Sequence, residues 1–202
     1  MKKQNHITGI LLAAGMGSRF GGDKLLHVLE GDLEIGLRSA LNLKAHVDHV
    51  ICVVRPSDLV LKTLYKKNGF TVIENPQHLQ GLSSSFIAGI HASPNSDYWM
   101  LALADMPFIQ HTTYEQLIQR LPELPHNSPP IIRPRLIHQG SSPQAGHPVL
   151  FPQCFKGELL NLKGDSGAKA LFKAHPEQIN WLDTSDHGIM KDIDTRHALA
   201  QA

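Results

Sequence analysis

Apolar residues fall along this chain in short unbroken runs, separated by longer stretches where they recur every three to four positions. The runs at 10–14 and 49–54 suit buried strands, the first covered on both faces as in a parallel sheet, and 70–73, 98–103, 147–151 and 179–182 read as further strands. Between them the spacing turns helical. Leu37, Leu41 and Ala45 share one face of a helix over about 34–45, and Ser57 or Asp58 caps a second that Gly69 stops near Asn68. Ser83, Ser84 and Ser85 precede the periodic Phe86, Ile87 and Ile90, so one serine is expected as an N-cap, leaving spare hydroxyls and N–H groups. A helix from about Thr113 ends at Pro122, and 124–130 reads as an exposed loop. The prolines of 129–137 confine any strand there to an edge or an irregular course. Asp165 or Ser166 is expected to cap a helix carrying Ala168, Leu171 and Phe172, and Thr195 a last short helix reaching Ala202.

The first run leads into the chain's most informative stretch. Ile10 to Ala14 gives way to Gly15, Gly17, Gly21 and Gly22, with Arg19 and Lys24 among and after them. Glycines let a backbone turn and approach a ligand, and successive N–H groups in such a turn cradle anions. Arg19 adds a planar fork matched to phosphate oxygens and Lys24 a mobile point charge. The loop lacks the Walker A pattern, because Lys24 is followed by Leu25. Its glycine spacing also misses the dinucleotide fingerprint by one residue. An ordinary glycine-rich turn would not bring the arginine and lysine together directly after a buried strand.

A second run, Tyr98 to Ala104, ends in Asp105-Met106-Pro107. Ligands of open α/β sheets sit beyond the carboxyl ends of strands, so Asp105 falls near the glycine loop if the two strands are neighbours. A carboxylate there suits Mg²⁺; the competing role is capping the helix that begins near Thr112 or Thr113. Asp192 and Asp194, two apart on an expected strand, face the same way and can converge. Gly164, Asp165, Lys163 and Lys169 surround a helix N-terminus that is an anion site in principle and equally a structural cap.

Composition narrows the partners. At 202 residues one domain is expected, 1–202, able to bury a sizeable core; apolar content of 42% and charged content of 18% are ordinary. A net charge of +1 gives no reason to expect nucleic acid or a membrane surface as partner. The 13 histidines show no metal-binding spacing, and Cys52 lies in an apolar run. No long apolar segment follows Met1-Lys2-Lys3, and a cytoplasmic protein is expected.

Leu12-Ala13-Ala14-Gly15, Arg19, Gly21 and Lys24 resemble, position by position, the signature of nucleotidyltransferases of the nucleotide-diphospho-sugar transferase fold. The second alanine is similar to the molybdenum-cofactor cytidylyltransferases; the guanylyltransferase relatives carry glycine there. Gly81–Ser85, Ala104–Pro107, Gly146–Phe151, Gly164–Lys169 and Asp192–Thr195 extend the resemblance in family order over almost the whole chain. Val28-Leu29-Glu30 departs from the family's Pro-Leu-Gly-like stretch, and Thr195-Arg196-His197-Ala198 from its Asp-Thr-Pro-Glu-Asp.

The resemblance implies a single-domain, Rossmann-like three-layer α/β sandwich with a mostly parallel sheet. It implies a Mg²⁺-dependent enzyme moving CMP from CTP to the phosphate of a molybdopterin-type acceptor. Arg19, Lys24 and Asp105 are then the catalytic residues. The nucleotide falls to Leu12, Ala13, Ala14, Gly15, Gly17, Ser18, Arg19, Lys24, Gly81, Ser83 and Ser84. His147, Gly164 and Asp165 face the acceptor, and Asp105 and Asp194 hold the metal. A client molybdoenzyme or its chaperone is the expected protein partner. A guanylyltransferase or another phosphate-monoester nucleotidyltransferase of the same fold, and a non-catalytic cofactor-delivery protein, stay open beside this reading.

Overall fold

A computed structural model describes residues 5–15, 20, 23–29, 33–121, 128–138, 140–164 and 168–194. Gly17, Ser18, Arg19, Gly21, Gly22, Asp165, Ser166 and the segment 195–202 lie outside the described residues.

The runs of apolar residues form one mixed eight-stranded sheet. β1 (Ile7–Ala13), β2 (His49–Val54), β3 (Thr71–Glu74) and β4 (Tyr98–Leu103) are its parallel part. β1 lies between β2 and β4, with Ala13 opposite Val54 and Leu12 opposite Leu103. Chain order therefore reverses beside β1, and both informative runs end at that switch point. β7 (Val149–Pro152) runs antiparallel to β4 and to β5 (Ile131–Leu136); β5 also pairs with β6 (Gln144–Ala145) and, in parallel, with β8 (Ile179–Thr184).

Alternate side chains of each strand feed opposite cores, which is why the runs are apolar throughout. Leu11 and Ala13 pack with Leu37 and Leu43 of α1 (Ile35–Lys44), Leu61 and Tyr65 of α2 (Leu59–Lys67), and Tyr114 and Leu117 of α4 (His111–Gln119). Ile10 and Leu12 face Phe86 and Ile90 of α3 (Leu82–Ala92), Leu159 of α5 (Lys156–Leu159) and Leu171 of α6 (Lys169–Ala174). The three-layer α/β architecture follows. None of the described helices is long and apolar enough to cross a membrane.

Four local expectations need correction. The N-cap of α3 is Gly81 at φ +95°, a conformation that favours glycine, and the three serines sit inside the helix. Their hydroxyls are engaged: Ser83 donates to the Gly164 carbonyl at 2.7 Å, Ser84 to the Gly81 carbonyl at 2.8 Å, and Ser85 accepts from Asn75 at 3.0 Å. β5 is no edge strand; its proline, Pro134, has a carbonyl that accepts from Gly146, and β8 pairs along all six residues of the strand. Asp192 and Asp194 lie on a segment without strand pairing. The helix expected behind an Asp165 or Ser166 cap begins later: Ala168 is the N-cap of α6, which carries Leu171 and Phe172. By contrast, Asp58 caps α2 through the Leu61 N–H, and Gly69 at φ +75° follows the helix end, both as expected.

Candidate active site

The carboxyl ends of β1, β2 and β4 open into a cavity of about 380 Å³. Leu12, Ala13, Ala14 and Gly15 form its floor. Space is open where a Cβ on Gly15 would stand, so a ligand can run against the backbone there. Lys24 enters on a 3₁₀ turn over Lys24–Leu26 that packs against α1. Asp105 follows β4, and the Ala104 N–H donates to the Leu12 carbonyl, tying the two strand ends together.

The central contact is Lys24 with two carboxylates. Its ammonium lies 2.7 Å from Asp105 Oδ2 and 3.3 Å from Asp194 Oδ1, with only 10% of the side chain exposed. Burial works against the charge of Lys24. The hydrogen bonds and charges of Asp105 and then Asp194 outweigh it, so its pKa lies above the ordinary lysine value. The Asp194 segment reaches the site because the Ile193 N–H donates to the Asp105 carbonyl and Ile193 is fully buried. The extended chain on either side of Ile193 then presents both neighbouring carboxylates.

Asp192, whose role the sequence left open, joins them. One oxygen from each of Asp105, Asp192 and Asp194 lies within 4.8 Å of the others. Desolvation, and then the charges of Asp194 and Asp105, hold the Asp192 carboxyl above the usual range. Three hard oxygen donors fit Mg²⁺ or Mn²⁺, and the Lys24 ammonium between two of them stands where a cation is favoured. Asp105 does not cap α4. That end is served by Asp186, whose Oδ2 accepts from the Gln110 N–H at 2.9 Å and the Thr113 hydroxyl at 2.6 Å.

Of the other expected residues, Gly81 lines the cavity. Ser83 and Ser84 do not; Ser85 takes that place, and the Ser83 hydroxyl ties α3 to the Gly164 loop. Gly164 stands at φ +67°, outside the cavity lining. His147 also lies off the lining; its own N–H donates to the Ile189 carbonyl, which leaves no room for a Cβ on Gly146. Burial, and then the neighbouring Arg133, lower the His147 imidazole pKa to about 4 against a backbone hydrogen bond to Leu101. It is therefore a neutral ring, not a cation for a substrate phosphate. Arg55 and Asp58 line the cavity and were not among the expected residues. The signal for them was Arg55 directly after the second buried run, at the same end of the sheet as the glycine loop.

Likeness to known proteins bears on this site. The chain is 25% identical over 196 residues to nicotine blue oxidoreductase of Paenarthrobacter nicotinovorans, covering 94% of this chain and 92% of that one. It is 27% identical over 207 residues to the purine catabolism protein PucB of Bacillus subtilis, with the same coverage of 94% and 92%. Its fold is similar to that of Rv0371c of Mycobacterium tuberculosis, with a TM-score of 0.80, 21% identity and 98% and 97% of the chains covered. A second structure of Rv0371c, in complex with manganese, matches with a TM-score of 0.69 and 21% identity over 89% and 88% of the chains. Residues 9–179 match the MobA-like NTP transferase domain, a stretch that includes the Leu12–Gly15 floor, Lys24 and Asp105, and the chain belongs to that nucleotidyltransferase family.

Proposed function

We propose that this protein transfers CMP from CTP to the phosphate of a molybdopterin-type molybdenum cofactor, releasing pyrophosphate and forming molybdopterin cytosine dinucleotide. The observation that carries the reading is the Lys24–Asp105–Asp194 contact at one end of a cavity floored by Leu12–Gly15. A phosphate monoester is ionised at pH 7 and attacks without a general base. Its oxygen bonds to the α-phosphorus as the bond to the bridging oxygen breaks, and that electron pair leaves with pyrophosphate. The protein's share is in-line positioning and charge neutralisation. Lys24, with Arg19, holds the triphosphate and stabilises the leaving group. Mg²⁺ held by Asp105 and Asp194, when bound, supplies neutralisation of the phosphate charge. The manganese complex of Rv0371c supports divalent-metal use at this fold. The backbone of Ala13, Ala14 and Gly15 lies under the nucleotide, and Ala14, where a glycine would leave more room for a purine, supports CTP over GTP. Gly17, Ser18 and Gly81 complete the nucleotide assignment, with Ser85 in the place expected for Ser83 and Ser84. The acceptor side is assigned to Gly164 and Asp165, with His147 as a neutral wall residue, and the product passes to a client molybdoenzyme or its chaperone.

Pyrophosphate release with purified molybdenum cofactor and CTP, GTP or ATP tests this. CTP-dependent release that Asp105→Ala abolishes while Tm stays near wild type is expected. Unchanged turnover in Asp105→Ala would sink the metal assignment, and a GTP preference would reassign the base. Redox turnover of nicotine blue without pyrophosphate release would favour the chemistry named for the Paenarthrobacter relative.

A further inference from the structure

We infer that Arg55, held by Asp58, reads the Watson–Crick edge of a cytosine base. This rests on the nucleotidyl-transfer reading and adds to Ala14 a side chain that tells cytosine from uracil. The location comes from strand order. Asp105 follows β4, on one side of β1; Arg55 follows β2, on the other, directly after Val54, the partner of Ala13. Strands lie about 4.8 Å apart, so the two ends of the cavity are separated by about 10 Å, two strand spacings. Both Asp105 and Arg55 line the same cavity. A nucleotide whose triphosphate meets Lys24 and Asp105 therefore carries its base toward Arg55.

The chemistry at that end is specific. Arg55 Nη2 donates to Asp58 Oδ2 at 2.9 Å, while Asp58 Oδ1 accepts from the Leu61 N–H at the start of α2. The helix fixes the carboxylate, and the carboxylate fixes the guanidinium. Arg55 Nε is buried without a hydrogen-bond partner among the described residues, while the side chain as a whole keeps 23% of its surface exposed. An arginine keeps its charge at any working pH and presents N–H donors in a rigid fork. The pair thus offers donors beside a carboxylate that has acceptor capacity left. Cytosine presents the complement: N3 and O2 as adjacent acceptors, with the N4 amino donor next to them. Uracil places an N–H donor at N3, against the fork. Adenine has one acceptor on that edge. Side-chain order along the cavity therefore selects cytosine through the positions of its acceptors.

Calorimetric titration of CTP, UTP and GTP into the full chain with Mg²⁺ tests this, using wild type, Arg55→Met and Arg55→Lys. A good bidentate contact discriminates by about tenfold to a hundredfold. Wild type is expected to bind CTP at least about tenfold more tightly than UTP, and Arg55→Met to lose that margin by weakening CTP alone. Arg55→Lys keeps the charge and a partner for Asp58, so it folds, yet lacks the fork and is expected to lose most of the margin too. Equal loss of CTP and UTP, or an unchanged ratio in both variants, overturns the assignment while leaving nucleotidyl transfer intact. A wild-type preference for GTP overturns the cytosine match. Failure of the wild type to bind any nucleotide overturns the functional reading and this inference with it.

Discussion

Replacing Lys24 by methionine separates two consequences of placing an ammonium among carboxylates. Lys24 Nζ bridges Asp105 at 2.7 Å and Asp194 at 3.3 Å, and the Asp105, Asp192 and Asp194 oxygens approach within 4.8 Å of one another. Two unit negative charges at that separation repel by about 1 kcal/mol in water and about 3 kcal/mol at an effective dielectric of 20. Without the ammonium, the metal-free protein is expected to lose about 1–3 kcal/mol of stability, read as a lower Tm in chelator. The second consequence has the opposite sign. A divalent ion placed about 4 Å from the ammonium is repelled by about 2 kcal/mol even in water, equivalent to about thirtyfold in affinity. Lys24→Met should therefore bind Mn²⁺ about thirtyfold more tightly than wild type when no nucleotide is present, measured by loss of the free-ion EPR signal. Mn²⁺ should also raise its Tm more than that of wild type. In wild type the same gain should require a triphosphate that draws Lys24 off the carboxylates. Equal Mn²⁺ affinity in the two nucleotide-free proteins would refute the idea that Lys24 and the metal compete for one place.

Three further expectations concern the scaffold that holds this site. Tyr65 is fully buried and its hydroxyl has no hydrogen-bond partner among the described residues, so Tyr65→Phe should leave stability unchanged or raise it by up to about 1 kcal/mol; a clear loss in urea unfolding would show that the hydroxyl is paired. In Gly89→Ala the new Cβ would fall 2.4 Å from Ile10 Cγ2 on β1, and the overlap should cost about 1–3 kcal/mol despite alanine's better helix propensity; an unchanged Tm would contradict it. The imidazole of His147 titrates at about 4 when folded, below its ordinary 6.5, so the unfolded chain takes up that proton first as pH falls. Its contribution is complete above about pH 6.5 and lost progressively toward pH 4, at most about 3 kcal/mol, and His147→Gln should flatten that limb of the stability–pH curve.

The parts of the site that were legible in the sequence share one physical property. Each sits where a run buried on both faces stops. Ile10–Ala14 and Tyr98–Leu103 have to be strands because no other short element hides every side chain, and their ends must then lie at one edge of the sheet. Asp105 follows the second end directly and Lys24 closes the glycine loop that leaves the first, so pattern places both at that edge, where the 2.7 Å contact forms. Arg55 satisfies the same rule after Val54, but its partner Asp58 also reads as a helix cap, and a local role concealed the shared one. The serines after Gly81 failed for a related reason. Capping preference describes a helix end in isolation, whereas here a glycine at φ +95° makes the turn and the Gly164 carbonyl, 81 residues away, claims Ser83. Asp194 depends on a longer connection still, the Ile193 N–H meeting the Asp105 carbonyl. Spacing along the chain carries no trace of such a bond. A residue's place at a strand end could therefore be argued from pattern, while its choice between competing partners required the assembled sheet.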